Sequence, residues 1–223
     1  MRYPANVVLF GVRLYTEFYL SSEECSRLIQ DVMNTKVTGR TILNWVQKLA
    51  PFFQKISRLY RPHYSKIFLD EHRQVISTYL SDRRDSQSMI KTFKMAIDEA
   101  GFYPAIISTD KCKIYDMLRR YRKTRHVHAH FQTKLTPYGS GVVMINQNRI
   151  ERYHFEVHSK EVRMRGIKNF ECGTRFFQIR GVVHNYLRKH LTLGMTPAQY
   201  SGVAEDISWD NLAEILEVSA QIS

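Results

Sequence analysis

Two carboxylates stand out by their positions. Asp110 closes the apolar run Tyr103-Pro104-Ala105-Ile106-Ile107-Ser108-Thr109, which the sequence predicts as a short buried strand. Open α/β sheets place functional groups just past the ends of such strands. Glu151 opens a long helical stretch within Asn146-Gln147-Asn148-Arg149-Ile150-Glu151-Arg152-Tyr153-His154. Two hard carboxylates brought together by a fold can hold Mg²⁺. Paired metal ions activate water and stabilise the leaving oxygen in phosphodiester cleavage. Taken alone, the pair equally fits two solvated surface carboxylates.

A second set of residues suits a different chemistry. Val37 and Thr38 lead into a helix carried by Ile42, Leu43, Trp45, Val46 and Leu49. Pro51 is expected to end it, because proline lacks the N–H that a helix interior uses. The opposite face would offer Arg40, Thr41, Asn44, Gln47 and Lys48. Those groups can donate to base edges or phosphates in a major groove. A three-helix bundle with a solvated polar face fits the same spacing.

The elements that must position these residues can be read from periodicity. Val7, Val8, Leu9, Val12, Leu14 and Tyr15 predict a first helix. Ser21 and Ser22 before Glu23 and Glu24 resemble an N-cap with acids in the first turn. Cys25, Leu28, Ile29, Val32 and Met33 continue that second helix, and Asn34-Thr35-Lys36 breaks it. Two short helices around a tight turn suit a helix-turn-helix. Beyond a basic, aromatic linker, Ser65–Asp70 and Val75–Leu80 flank a polar turn and read as a hairpin. Ser86–Ala100 and Tyr115–Tyr121 read as helices. The helix from Glu151 is expected to break at Gly166, and another runs from Phe176 to Leu191. The tail after Thr196-Pro197 carries acidic Glu205, Asp206 and Asp210 and a last amphipathic helix. Helices first, then strands alternating with helices, predict an α/β class.

Charge points to a polyanion. Lys and Arg total 33 against 21 Asp and Glu, a formal net charge of +12. Cys25, Cys112 and Cys172 are far apart and form no CxxC, which speaks against a disulfide framework or a zinc site. No run approaches the roughly 20 apolar residues of a membrane helix. The first residues open no apolar leader. The expected location is the cytoplasm, in association with the nucleoid, with no membrane partner.

Several motifs resemble the DDE transposases of insertion sequence family six, in the RNase H-like, retroviral-integrase-type superfamily. They are Ile107-Ser108-Thr109-Asp110-Lys111, then Asn148-Arg149-Ile150-Glu151-Arg152-Tyr153-His154, then Lys160, Arg163, Met164, Arg165, Gly166 and Phe170. Leu14-Tyr15, Leu20-Ser21 and Thr41-Ile42-Leu43-Asn44-Trp45-Val46-Gln47 look like that family's helix-turn-helix. Tyr79-Leu80-Ser81-Asp82-Arg83-Arg84-Asp85 looks like its third strand. The resemblance runs to about Leu193. It is the order of these elements that is specific.

The resemblance implies an N-terminal helix-turn-helix over 1–56, a linker over 57–64, an RNase H-like mixed sheet flanked by helices over 65–193, and a tail helix over 194–223. It makes Asp110 the second catalytic Asp and Glu151 the catalytic Glu, binding Mg²⁺ (Mn²⁺ substituting) together with a first Asp. Such enzymes free a 3′-OH at each element end and drive it into target DNA, as dimers or larger assemblies on double-stranded terminal inverted repeats. The basic helix after the Glu corresponds to His158, Lys160, Arg163, Arg165 and Lys168, read as phosphate contacts. His154 is expected to orient the helix or the DNA, because the expected metal prefers oxygen.

The pattern departs in one place. The family's linker leads into a strand with Asp-Glu-Thr, whose Asp is the first metal ligand. Here Tyr60-Arg61-Pro62 runs almost directly into Ser65–Asp70, and Asp70 falls at the end of the second strand. The first strand is therefore expected to be missing, with impaired catalysis; the other reading makes Asp70 the replacement ligand. Two functions follow, a metal-dependent transposase or a non-catalytic DNA-binding remnant or repressor. A basic RNA-binding protein is a third, which the helix-turn-helix pattern opposes.

Overall fold

In this computed structural model the described residues are 3–59, 73–81, 83, 85–104, 106–120, 125–128, 132–135, 143–146, 148–164, 166–202, 207–212 and 214. They group into two compact units. One joins Met1–Pro62 to Ser159–Ser223, and the other is His63–His158.

The first unit is helical. Helix α1 (Ala5–Glu17) buries Val7, Val8, Leu9, Gly11, Val12, Leu14, Tyr15 and Thr16. Apolar residues nearly all round a helix mean burial on nearly all sides. Helix α2 (Ser22–Met33) starts as its sequence promised. The Ser21 hydroxyl accepts from the Glu24 N–H at 3.2 Å, and the Glu24 carboxylate accepts from the Ser21 N–H at 2.7 Å. This capping box satisfies two N–H groups that the helix cannot pair internally. Asn34 ends α2 in the left-handed region, at φ 48°. The chain turns over residues 34–38, held to α2 by the Ser26 hydroxyl on the Val37 carbonyl at 2.6 Å.

Helix α3 (Gly39–Leu59) contains Pro51 rather than ending there. The apolar face explains the difference. Ile42, Trp45, Val46, Leu49 and Ala50 continue past the proline into Phe53 and Ile56, all buried. A proline inside a helix costs about 3 kcal/mol. Burying a Phe and an Ile returns roughly 1.5–3 kcal/mol each, enough to carry the helix on. At Gly11 the packing leaves no room for a side chain, since a Cβ there would lie 2.9 Å from the Trp45 ring.

From the distal part of the chain, α6 (Phe170–Val182) packs along α3 and touches α1. Asn169 caps it, its side chain accepting from the Cys172 N–H at 2.9 Å. A π-helical turn at Val183–Leu187 ends the helical run. The helix expected over Phe176–Leu191 thus starts earlier, at its Asn169 cap, and stops sooner. Helix α7 (Pro197–Tyr200) follows, with Thr196 and Gln199 forming another capping box. Trp209 closes the core against Phe53, ring centroids 6.1 Å apart. Glu205, Asp206 and the last residues of the tail lie outside the described residues.

The second unit mixes helix and strand. Helix α4 (Ser86–Ala100) begins at Asp85, whose carboxylate accepts from the Ser88 N–H at 2.8 Å, and ends at Gly101, at φ 79°. Strand β1 (Ile106–Thr109) pairs in parallel with β2 (Arg125–His128), Ile107 opposite His126 and Thr109 opposite His128. Between them Lys113–Arg120 forms 3-10 turns that pack on α4 and β2, with Leu118 buried. Strands β3 (Gln132–Leu135) and β4 (Val143–Asn146) form an antiparallel pair. Helix α5 (Asn148–Arg163) follows, and the boundary between the units falls within it.

These elements bear out a mixed α/β class at a coarse level. The hairpin expected from Ser65 to Leu80 is corrected at its second arm, because residues 75–80 lie in no strand. Alternating side chains favour an extended chain, but a strand also needs a hydrogen-bonded neighbour. The first arm, Ser65–Asp70, lies outside the described residues.

Candidate active site and nucleic-acid face

Asp110 sits where its sequence placed it, immediately after β1. Its carboxylate accepts from the Cys112 N–H at 2.9 Å, a local turn that fixes the side chain as the chain leaves the sheet. The residue is exposed. Its neighbour Thr109 is tied to the adjoining strand, the hydroxyl lying 2.7 Å from His126 Nε2. Sequence reasoning missed His126, because Arg125-His126-Val127-His128 carries too few apolar residues to read as a strand.

Glu151 stands in the first turn of α5 and is exposed. A carboxylate there is favoured by the positive end of the helix dipole. His154 and His158, on the same helix, are exposed as well. Asp70 lies outside the described residues. Among the described residues, no three His, Cys, Asp or Glu side chains come together as a metal-binding group. Asp110 and Glu151 are nonetheless hard, exposed oxygen donors on the same unit, the donor chemistry that Mg²⁺ or Mn²⁺ takes.

On the first unit, the face of α3 named from the sequence is largely presented to solvent. Arg40, Asn44 and Lys48 are exposed, and Thr41 is half-buried with its hydroxyl 2.9 Å from that of Thr38. Gln47 is turned to another use. Its side-chain amide donates to the Cys172 carbonyl in α6 at 3.2 Å.

The basic residues after Glu151 divide. Lys168 is exposed; Arg163 is exposed and donates to the Tyr19 carbonyl at 3.2 Å; Arg165 lies outside the described residues. Lys160 is a correction. It is 1% exposed, its ammonium donates to the Leu20 carbonyl, and it lies 3.8 Å from the Tyr15 ring centroid. A group so enclosed is not offered to a phosphate. Burial, with Arg180 and Arg163 nearby, brings its pKa down to about 7, against a smaller upward pull from Cys25 and Glu24. Arg180 is buried beside it, donating to the Thr16 carbonyl at 2.6 Å and the Tyr19 hydroxyl at 2.9 Å. Three cations from one end of the chain thus meet carbonyls where α1 ends, at the negative end of its dipole. No sequence signal separates these cations from the solvated ones around them.

A family described as DDE domain matches residues 59–190, more than half of the chain and the span that holds Asp110 and Glu151. The chain belongs to this DDE transposase family. No curated protein and no solved structure matches it. The match points to transposase-type nuclease chemistry, for which DDE domains generally use divalent metal ions. No described helix is long and apolar enough to cross a membrane.

Proposed function

We propose that this DDE protein is an insertion-sequence transposase that binds the ends of its element and carries out metal-dependent strand cleavage and transfer. The observation that carries the reading is the family match over the span in which Asp110 follows a parallel strand and Glu151 opens a helix.

In this reading Asp110 and Glu151 hold Mg²⁺, with Mn²⁺ as a substitute and Asp70 as the third ligand. A divalent ion held by these carboxylates would supply positive charge for the phosphate and would acidify a water. The Cys112 N–H fixes the Asp110 rotamer, and a carboxylate keeps further acceptor sites for a ligand. Residues 1–56 act as a helix-turn-helix: Arg40, Thr41, Asn44 and Lys48 face the duplex, and Gln47 positions α3 against α6. Arg163, Arg165 and Lys168 add phosphate contacts. Pairing two element ends calls for a dimer or larger assembly, working in the cytoplasm at the nucleoid.

A second reading rests on one sequence observation. No Asp-Glu-Thr motif stands between the linker and Ser65, so the first metal ligand of the resemblance is missing. A chain without it is a DNA-binding remnant or repressor with weak or no cleavage. A nicking assay separates the two, using a plasmid with the element's ends, Mg²⁺ or Mn²⁺, and Asp110→Asn and Asp70→Asn controls. Cleavage lost in both variants establishes a transposase with Asp70 as ligand. Binding to the ends without any cleavage establishes the remnant.

A further inference from the structure

The chain that leaves Asp110 is basic. From Lys111 to Arg125 the sequence holds one carboxylate, Asp116, among its Lys and Arg residues. Neither the α3 face nor the basic stretch after Glu151 includes this segment. The backbone ties its start to Asp110. The Cys112 N–H donates to the Asp110 carboxylate at 2.9 Å, and the Tyr115 N–H to the Cys112 carbonyl at 3.0 Å. From Lys113 to Arg120 the segment runs as a 3-10 helix.

That helix type decides which side chains line up. With three residues per turn, positions i and i+3 eclipse each other. One row, Tyr115 and Leu118, is turned inward, Leu118 being 2% exposed. The segment packs on α4 and β2. The next row is Lys113, Asp116 and Arg119, all exposed, and Arg120 is exposed beside it. Lys111, directly after Asp110, is exposed as well. Asp116 and Arg119 lie 3.6 Å apart, with side chains 51% and 68% exposed. An ion pair so open to water contributes little, so a phosphate can take its place on Arg119. At about 2 Å of rise per residue, Lys113 to Arg120 spans roughly 14 Å. One strand of B-DNA advances about 3.4 Å per phosphate, so this edge matches about four consecutive phosphates.

We propose that Lys111, Lys113, Arg119 and Arg120 form a phosphate-binding rail that seats the DNA strand to be cut beside Asp110. The proposal rests on the DNA-cleaving reading above and deepens it, by naming what holds the backbone next to the cleaved bond. Cations repeated along one edge complement the regular charges of a nucleic-acid strand, and the chain's net charge of +12 has the matching sign. Contacts to phosphates position the strand and carry no sequence preference of their own.

The test uses the full-length protein with two duplexes, one element end with its flank and one unrelated sequence. Affinity is measured over a range of salt without divalent metal, so that cleavage plays no part. Lys113→Gln and Arg120→Gln should each weaken binding about three- to tenfold, equally on both duplexes, and lower the salt slope by about one. Asp116→Asn should tighten binding to both, a direction that damage to the fold would not produce. Melting temperatures should stay unchanged, since these side chains are exposed. Single neutral methylphosphonates placed along the element end then locate the contact. The one that weakens wild type but leaves Lys113→Gln unaffected should lie within about four nucleotides of the cleaved bond.

Coupling to a phosphate far from the cleaved bond overturns the rail. So does wild-type affinity and slope in both Lys113→Gln and Arg120→Gln; if Lys48→Gln then binds less, the α3 reading stands without the rail. Unchanged DNA binding with altered self-association in sedimentation also refutes it, and marks the edge as a contact between copies. If wild type binds neither duplex, the DNA-binding reading falls and the rail with it.

Discussion

Among the described residues, the two units are buried to different depths. In the first, α1, α3 and α6 enclose a continuous core from Val7 to Leu212, and even two cations, Lys160 and Arg180, are sealed inside. In the second, Leu118 and Tyr153 are the buried apolar residues among those described; α4 buries none of its residues, and every residue of β1 is half-buried. The side chains proposed for metal chemistry stand on the lightly buried unit, and those proposed for reading DNA stand on the deeply packed one. Burial of apolar surface is the main source of folding free energy. The helical unit therefore draws stability from its own core, whereas Asp110 and Glu151 stand exposed on the other.

The strongest way to test this contrast is to separate chemistry from stability. Asp110→Asn should lower metal-dependent nicking by about a thousandfold while leaving the melting temperature of the helical unit in place. A large loss of melting temperature would show that Asp110 is structural. The converse change is Phe53→Ala, which removes a fully buried ring between α3 and Trp209. It should cost about 3–5 kcal/mol in denaturant unfolding and abolish DNA binding through the fold.

The buried lysine gives a smaller, pH-dependent effect. Its pKa is about 7 in the folded chain against an ordinary value of 10.5, so above pH 7 the unfolded chain binds the extra proton. Stability then rises with pH from about 7. Cys25, pushed up to about 11 by burial, and Tyr15, pushed up to about 12, act in the opposite sense once their unfolded forms ionise near 9.0 and 10.0. The rise is therefore clearest between pH 7 and 9, worth about 2 kcal/mol at one proton or less per molecule. Lys160→Met should flatten it, as read from urea midpoints at the two pH values. An unchanged slope in that variant would place the linked proton elsewhere. The smallest effect is expected from Ser21→Ala, about 1 kcal/mol, through loss of the α2 capping box. It tests whether the helical unit depends on its caps or on its core alone.

Local signals in the sequence proved reliable where the physics is local. The Ser21–Glu24 cap, the break at Gly166 and the strand that delivers Asp110 are all set by residues a few positions apart. So is the place of Glu151 in a helix's first turn. Pro51 misled because its cost is local while the gain from Phe53 and Ile56 comes from distant helices. Strands β2 and β3 were illegible, since Arg125-His126-Val127-His128 and Gln132-Thr133-Lys134-Leu135 have little apolar alternation and take their form from a neighbouring strand.

The sequence by itself determined the basic charge, the helices of the N-terminal segment, the strand before Asp110, the motifs of a DDE domain and the two carboxylates that could serve it. Tertiary structure alone decided that the ends of the chain share one core, and that Gln47 holds α6 rather than facing solvent. It also decided that Lys160 and Arg180 lie inside, Arg180 against the Thr16 carbonyl in the last turn of α1 and Lys160 against the Leu20 carbonyl just beyond it. Lys160 and Lys168 read alike in a sequence, because spacing along a helix fixes which way a side chain points but not what stands opposite. Only the packing of residues more than a hundred positions apart decides whether an ammonium meets a carbonyl or water.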